Sequence, residues 1–332
     1  MKYNFLGNTG IKVSELCMGT MSFGGIADEA NSRAMFNASR DAGINFYDCA
    51  DVYEKGISEE YLGKFIQEEK CRDEIVITTK VYGRTGAGEN ALGSSRYHIT
   101  RAVESSLKRL NTDYIDIYFL HRFDEKTNME ETLRVLDDLV SQGKILYLGA
   151  SNFAAWQVSK ALGISDNRGW SKISCIQPMY NLVKRQAEVE ILPMAMAENI
   201  GVINYSPLGG GLLTGKYNQS KTAGTGRLTD NPMYNLRYGD SWMYEVAAKF
   251  TELANEVNVH PVSLAIAWTA AHPAITAPII GARNLDQLKP SLEAAEVDMT
   301  DELWQKISSL SYEPPSATDR SESKADPKYG KR

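Results

Sequence analysis

Cysteine is scarce in this chain, four residues in 332, and Cys17, Cys49, Cys71 and Cys175 stand far apart with no Cys-x-x-Cys pair. That spacing excludes a disulfide framework and predicts buried, reduced thiols. Histidine is as rare. His98, His121, His260 and His272 fall in no metal-ligand spacing, so no metal site is expected. No apolar run approaches the ~20 residues of a bilayer span, and no charged-then-apolar leader opens the chain, so a cytoplasmic protein is expected. Basic residues are not in excess either: the formal net charge of −6 argues against a dedicated nucleic-acid binder or a basic membrane surface. No Gly-x-Gly-x-x-Gly follows the first strand, which removes support for an open dinucleotide-binding sheet. Gly210-x4-Gly215-Lys216 nearly spells a phosphate-binding P-loop. Position 217 is tyrosine, however, where that loop needs a Ser or Thr for Mg²⁺, so the triphosphatase reading is rejected.

What remains is an ordinary globular composition, 43% hydrophobic and 23% charged, with room for a large core. Gly7-Asn8-Thr9-Gly10 between two short apolar flanks predicts a β-hairpin over Tyr3 to Val13. Strands and helices then alternate. Strands are predicted at Leu16–Met21, Asn45–Asp48, Glu74–Lys80, Tyr114–Leu120, Ile145–Ala150, Ile173–Gln177, Gly201–Tyr205 and Ala277–Ile280. Helices are predicted at Glu29–Asp41, from a capping Ser58, and at Thr100–Leu110, Glu130–Gln142, Ala154–Leu162, Glu188–Asn199, Pro261–Ala271 and Asp286–Ala295. An extra helix is expected over Trp242–Asn258 and a terminal one over Thr300–Leu310. Irregular segments are expected at Gly83–Ser95 and from Leu208 to about Asp240. Eight short apolar strands alternating with helices indicate a parallel α/β fold covered on both faces. A (β/α)8 TIM barrel with an N-terminal β-hairpin and extra helices fits the count, and such a barrel takes about 250 residues as one unit. One domain is expected over residues 1–313, with a polar C-terminal tail over 314–332.

In a barrel of this kind the active site is built from the C-terminal strand ends and the loops after them. In chain order those positions hold Asp48 with Tyr53, then Lys80, His121, Ser151 with Asn152, Gln177, Tyr205 with Ser206, and Gly281 with Arg283. One histidine or lysine at a strand end is commonly a packing or solvated residue. Four titratable types at separate strand ends mark a reactive site.

The segments Phe46-Tyr47-Asp48-Cys49-Ala50-Asp51-Val52-Tyr53, Ser58-Glu59-Glu60, Thr79-Lys80, Leu120-His121, Gly149-Ala150-Ser151-Asn152, Tyr205-Ser206-Pro207-Leu208 and Ile280-Gly281-Ala282-Arg283 resemble the aldo-keto reductase superfamily. The likeness runs from Leu6 to about Leu310. It is strongest to the branch that includes potassium-channel β-subunits and bacterial sugar and aldehyde reductases. It implies hydride transfer between NADPH and a carbonyl carbon, with Tyr53 as general acid. A phenol of pKa about 10 is a poor acid near neutrality, and Lys80 beside it is expected to lower that value. Asp48 would pair with Lys80, and a neutral His121 would orient and polarise the carbonyl oxygen.

For the cofactor, NADPH/NADP, the resemblance implies Thr20, Met21, Pro207 and Gly281 around the site. Ser151, Asn152 and Gln177 would hold the carboxamide and Tyr205 stack on the nicotinamide. Ser206, Leu208, Gly211 and Lys216 would lie over the pyrophosphate, with Arg283 and Gln287 on the 2′-phosphate. Pro290-Ser291 stand where the family carries an acid and an asparagine against adenine, which weakens that contact. Candidate substrate residues are Phe23, Tyr82, Arg84, Arg122, Arg237 and Trp242. Their arginines suggest a polar or sugar-type aldehyde, a small-molecule carbonyl substrate suited to carbohydrate metabolism. The same four catalytic types also permit a redox-sensing regulatory subunit with slow chemistry. The short stretch before the hairpin favours the enzyme. A Schiff-base aldolase through Lys80 is disfavoured because Asp48 should keep that amine charged.

Overall fold

A computed structural model describes residues 1–217, 228 and 232–318. Most of the expected tail, residues 319–332, and the middle of the expected insertion, residues 218–227 and 229–231, lie outside the described residues.

The hairpin forms from β1 (Tyr3–Phe5) and β2 (Lys12–Ser14), paired antiparallel. Eight parallel strands follow: β3 (Cys17–Gly19), β4 (Phe46–Asp48), β5 (Val76–Val81), β6 (Ile115–Leu120), β7 (Ile145–Ser151), β8 (Ile173–Gln177), β9 (Gly201–Val202) and β10 (Ile279–Ile280). They neighbour one another in the order β10-β3-β4-β5-β6-β7-β8-β9. Backbone bonds from Thr276 N to Val202 O, 2.8 Å, and from Ile279 N to Asn204 O, 2.9 Å, join the last strand to the seventh and close the ring. The expected (β/α)8 barrel is what forms.

Helices α1 (Glu29–Asp41), α2 (Ile57–Glu69), α3 (Arg96–Leu110), α4 (Met129–Ser141), α5 (Ala155–Arg168), α6 (Ile191–Ala197), α7 (Pro232–Tyr238), α8 (Ser241–Glu256), α9 (Pro261–Ala270), α10 (Leu285–Leu292) and α11 (Asp301–Ser308) surround it. Local chemistry explains several starts. Asp28 accepts from the Asn31 N–H at 2.8 Å to cap α1, and Asn128 does the same for α4 through Glu130 N. Pro261 opens α9, where its missing N–H costs nothing. Ser58 does not cap α2 as expected. It lies inside the first turn, Gly56 stands at the cap, and the Ser58 hydroxyl donates to the Thr20 carbonyl at 2.7 Å. Strand β9 is shorter than the predicted Gly201–Tyr205. Beyond Val202 the chain still bonds β8 and its extension, Ile203 N to Ile176 O and Tyr205 N to Pro178 O, but Pro178 has no N–H to continue the ladder.

Two cores result. The outer one lies between sheet and helices, where Tyr47, Phe36 and Phe65 meet. At Gly63 the close approach of α2 and α3 leaves no room for a side chain, since a Cβ there would stand 2.5 Å from the Leu110 carbonyl oxygen. The inner core fills the barrel with Cys17, Phe46, Val76, Ile117, Phe119 and Cys175, and the hairpin adds Leu6 and Val13 at the N-terminal end. That end is thereby plugged with apolar groups. Polar side chains of the lumen gather at the opposite end.

Candidate active site

Strand alternation builds this polar end. Phe46 and Asp48 share one face of β4, and Thr78 and Lys80 share one face of β5, so each strand delivers an apolar or neutral residue below and a charged one above. Asp48 and Lys80 are 2% and 0% exposed, and their side chains meet with Lys80 Nζ 2.7 Å from Asp48 Oδ2. The ammonium also donates to the Cys49 carbonyl at 2.6 Å and to the Tyr53 hydroxyl at 3.3 Å. Its charge lies 4.9 Å from the centroid of the Tyr53 ring. The second Asp48 oxygen, Oδ1, accepts from the Thr78 hydroxyl at 2.6 Å and from Gln177 Nε2 at 2.8 Å. The His121 ring stands edge-on to Tyr53, centroids 6.0 Å apart. Glu54 and Lys55, directly after Tyr53, both take the left-handed conformation (φ 46° and 58°), folding the chain sharply back into α2.

The electrostatics follow from burial. Burial works to lower the Lys80 pKa, but Asp48 and then Tyr53 outweigh it and the ammonium is held above its ordinary value. Burial pushes the Tyr53 phenol up to about 12, and Lys80 offsets only part of that rise. The lowering expected from Lys80 is therefore reversed in the free protein, because desolvation of the phenolate exceeds the attraction of a cation already paired with Asp48. Burial, then Lys80 and Arg122, lower His121 to about 3, so its imidazole is neutral near pH 7. The four cysteines are buried and free, and burial raises the Cys49 thiol to about 12, which leaves it a poor nucleophile. Among the described residues no His, Cys, Asp and Glu cluster could hold a metal ion.

Around this centre Asn152, itself left-handed at φ 56°, ties three strand ends together. Its Nδ2 donates to the His121 carbonyl at 2.9 Å and to Ser151 Oγ at 3.0 Å, and its Oδ1 accepts from the Tyr205 hydroxyl at 2.7 Å. Ser151 donates in turn to the Gln177 carbonyl at 3.0 Å. Ser206 is left-handed at φ 58°, and Gly209, Gly210 and Gly211 follow at φ 57°, 68° and 105°, a backbone path suited to glycine. Leu208 and Gly211 are half-buried in this loop, Pro207 is buried, and Lys216 is exposed. Beyond β10, Gly281 is exposed and Arg283 half-buried, and Gln287 Oε1 accepts from the Arg283 N–H at 3.4 Å. Lys216 and Arg283 have no carboxylate partner among the described residues. These two cations and the glycine-rich turn supply donors of the kind that fit a phosphate-bearing ligand. The helix α10 runs through Pro290, whose carbonyl accepts from Ser263 at 2.6 Å, and the Ser291 side chain is buried.

Other expected residues make contacts of their own. Thr20 is buried, its hydroxyl spent on the Asp48 carbonyl at 3.1 Å and on Ser58, while the neighbouring Met21 is exposed. Phe23 is fully buried with its ring 6.2 Å from Phe65, so it belongs to the outer core and not to a pocket wall. Adjacency to the first strand end misled, because the turn after β3 folds Phe23 inward. Arg84 donates to the carbonyls of Gly86 and Gly88, bracing its own loop. Arg122 lies over the Tyr82 ring at 5.4 Å, Arg237 over Tyr234 at 5.7 Å, and Trp242 is partly exposed at the start of α8. Sequence reasoning missed Thr78, although its place two residues before Lys80 puts it on the same face. It also missed the buried cluster beside Lys80, where Glu59 pairs with Arg109 at 2.6 Å and accepts from Thr79. Asp51 belongs to that cluster, and among the described residues neither of its carboxyl oxygens has a hydrogen-bond partner.

Comparison with known proteins agrees with this architecture. The Aldo/keto reductase family model matches residues 15–311. The chain is 36% identical over 323 residues to the uncharacterized oxidoreductase YrpG of Bacillus subtilis, covering 93% of this chain and 96% of that one. It is 37% identical over 303 residues to a probable voltage-gated potassium channel subunit beta of Arabidopsis thaliana, covering 90% and 92%. It is 32% identical over 332 residues to the versiconal hemiacetal acetate reductase of Aspergillus parasiticus, covering 91% and 94%. A match across nearly the whole barrel, at this identity, means that the chain belongs to the aldo/keto reductase family of oxidoreductases.

Proposed function

We propose that this protein reduces an aldehyde or ketone to the alcohol with NADPH, Tyr53 supplying the proton to the carbonyl oxygen. The observation that carries the reading is the convergence of Tyr53, Lys80, Asp48 and His121 at the polar end of the lumen. NADPH, when bound, supplies the hydride. Tyr53 remains protonated at neutral pH and is therefore able to donate. Lys80, held charged by Asp48, faces the oxygen that becomes negative as Tyr53 gives up its proton. His121, neutral, is a hydrogen-bond donor that orients the substrate carbonyl without adding a second cation. Ser151, Asn152 and Gln177 would hold the nicotinamide carboxamide beneath Tyr205. Ser206, Leu208, Gly211 and Lys216 would cover the pyrophosphate. Arg283, with Gln287, would take the 2′-phosphate, which is why we favour NADPH over NADH.

The substrate we propose is a polar or sugar-type aldehyde. Arg122, adjacent to His121, supports that choice, whereas Arg84 is committed to its own loop and adds nothing to it. A second reading, a cofactor-binding redox sensor, is supported by the likeness to the potassium-channel β relative. One experiment tests both: loss of 340 nm absorbance with NADPH or NADH over sugar, aromatic and short-chain aldehydes, with Tyr53→Phe alongside. We expect turnover of at least one polar aldehyde and a fall of about 10²–10⁴-fold in the variant, with NADPH binding retained. An unimpaired Tyr53→Phe removes the phenol from the mechanism. Turnover below about 0.01 s⁻¹ on every carbonyl, far under the usual range, favours the sensor.

A further inference from the structure

The lysine stem has four rotatable bonds, so the Lys80 ammonium points at Tyr53 only as firmly as its anchors hold it. One anchor is backbone, the Cys49 carbonyl at 2.6 Å; the other is Asp48 Oδ2 at 2.7 Å. A carboxylate can itself rotate, and two donors on Oδ1 prevent this: Thr78 at 2.6 Å and Gln177 at 2.8 Å. They differ in kind. Gln177 comes from β8, across the lumen, and its amide is also expected to serve the cofactor. Thr78 is opposite Asp48 in the β4–β5 register, is 0% exposed, and carries a β-branch that restricts its rotamer on a strand. Its hydroxyl reaches the carboxylate from the neighbouring strand.

We propose that Thr78 is a positioning residue of the reductase: by donating to the Asp48 oxygen that Lys80 leaves free, it fixes the carboxylate and keeps the ammonium aimed at the Tyr53 phenol. The inference rests on the reductase reading and deepens it, since it adds a fifth member to the acid assembly. In this role Thr78 acts through Asp48 and not on the reacting atoms. Its loss should therefore appear in kcat and leave binding alone.

The test compares Thr78→Val, which keeps shape and removes the donor, with Thr78→Ser, which keeps the donor, and Thr78→Cys, whose thiol is a weak one. For Thr78→Val we expect kcat to fall roughly ten-fold, the scale of one hydrogen bond to a charged group. KM and the NADPH dissociation constant should stay within about two-fold of the parent, as for any change confined to the chemical step. Thr78→Ser should recover most of the rate and Thr78→Cys lie between. Wild-type kcat in Thr78→Val overturns the proposal. So does a Ser variant as slow as Val, or a loss confined to KM or cofactor affinity. If Thr78→Val does not fold, equal kcat in the Ser and Cys variants overturns it. A crystal structure of the Val variant, or of Cys should Val not fold, decides the matter without turnover. We expect the Asp48 carboxylate rotated and the Lys80–Tyr53 separation lengthened beyond 3.3 Å. Unmoved side chains overturn the positioning role. A parent protein that reduces no carbonyl overturns the proposed function instead, and the crystal comparison then decides Thr78 by itself.

Discussion

Lys80 and Tyr53 are joined by a 3.3 Å contact in which the cation does not win. The phenol stays more basic than a free tyrosine because burial acts on it more strongly than the ammonium does. The site in the free protein therefore stores a proton on Tyr53. Asp48 balances the charge that would otherwise be stranded in the barrel.

That balance predicts the cost of breaking it. Lys80→Met leaves the Asp48 carboxylate buried with no cation, and removing one partner of a buried pair costs about 3–5 kcal/mol. We expect that loss in urea unfolding, together with loss of turnover. The double variant Asp48→Asn/Lys80→Met should recover a large part of the stability and none of the activity. A Lys80→Met protein as stable as its parent would show that the pair contributes nothing to folding.

Asp51 predicts a pH dependence. Burial, then the neighbouring Glu59, raises its carboxyl to about 8, while Arg109 and Lys80 oppose the rise. Buried Tyr118, also without a hydrogen-bond partner among the described residues, is close by. With the folded pKa above the unfolded value near 4, the native state holds a proton that the unfolded chain has lost. The Asp51 contribution is thus fully present below about pH 4 and is lost as pH rises through about 8. Thermal melts at pH 5, 7 and 9 should fall with pH more steeply for the parent than for Asp51→Asn. Parallel profiles would place Asp51 outside this balance.

His121 predicts an absence of titration. With its imidazole lowered to about 3, the hydrogen bond proposed from His121 to the carbonyl oxygen should not change protonation between pH 8 and 5. We expect kcat for reduction to stay level, within about two-fold, across that range. An acid limb near the ordinary histidine value of about 6.5, absent in His121→Asn, would show that the ring protonates during turnover.

Much of this molecule was legible in advance, and the reasons are local. Asp48, Lys80 and His121 each end an apolar run, and a polar residue at the C-terminal end of a buried strand has few places to go except the barrel mouth. The helix over Glu29–Asp41 was readable to the residue, since Asp28 caps it and Gly43 follows. Thr78 was hidden because a threonine inside Val-Ile-Thr-Thr-Lys reads as β-propensity, and only the register beside Asp48 gives its hydroxyl a partner. The burial of Phe23 was hidden too. Sequence shows that it follows a strand end, but the direction of a side chain in a loop depends on the turns around it.

By itself the sequence determined the alternation of strands and helices, the ring they form, and the residue types delivered to its upper rim, because periodicity and strand ends are short-range properties. Only the tertiary structure decided which groups share a proton and which are spent on packing. Desolvation and hydrogen-bond pairing depend on neighbours as distant as Asp48 and Gln177, 129 positions apart in the chain and 2.8 Å apart in the barrel.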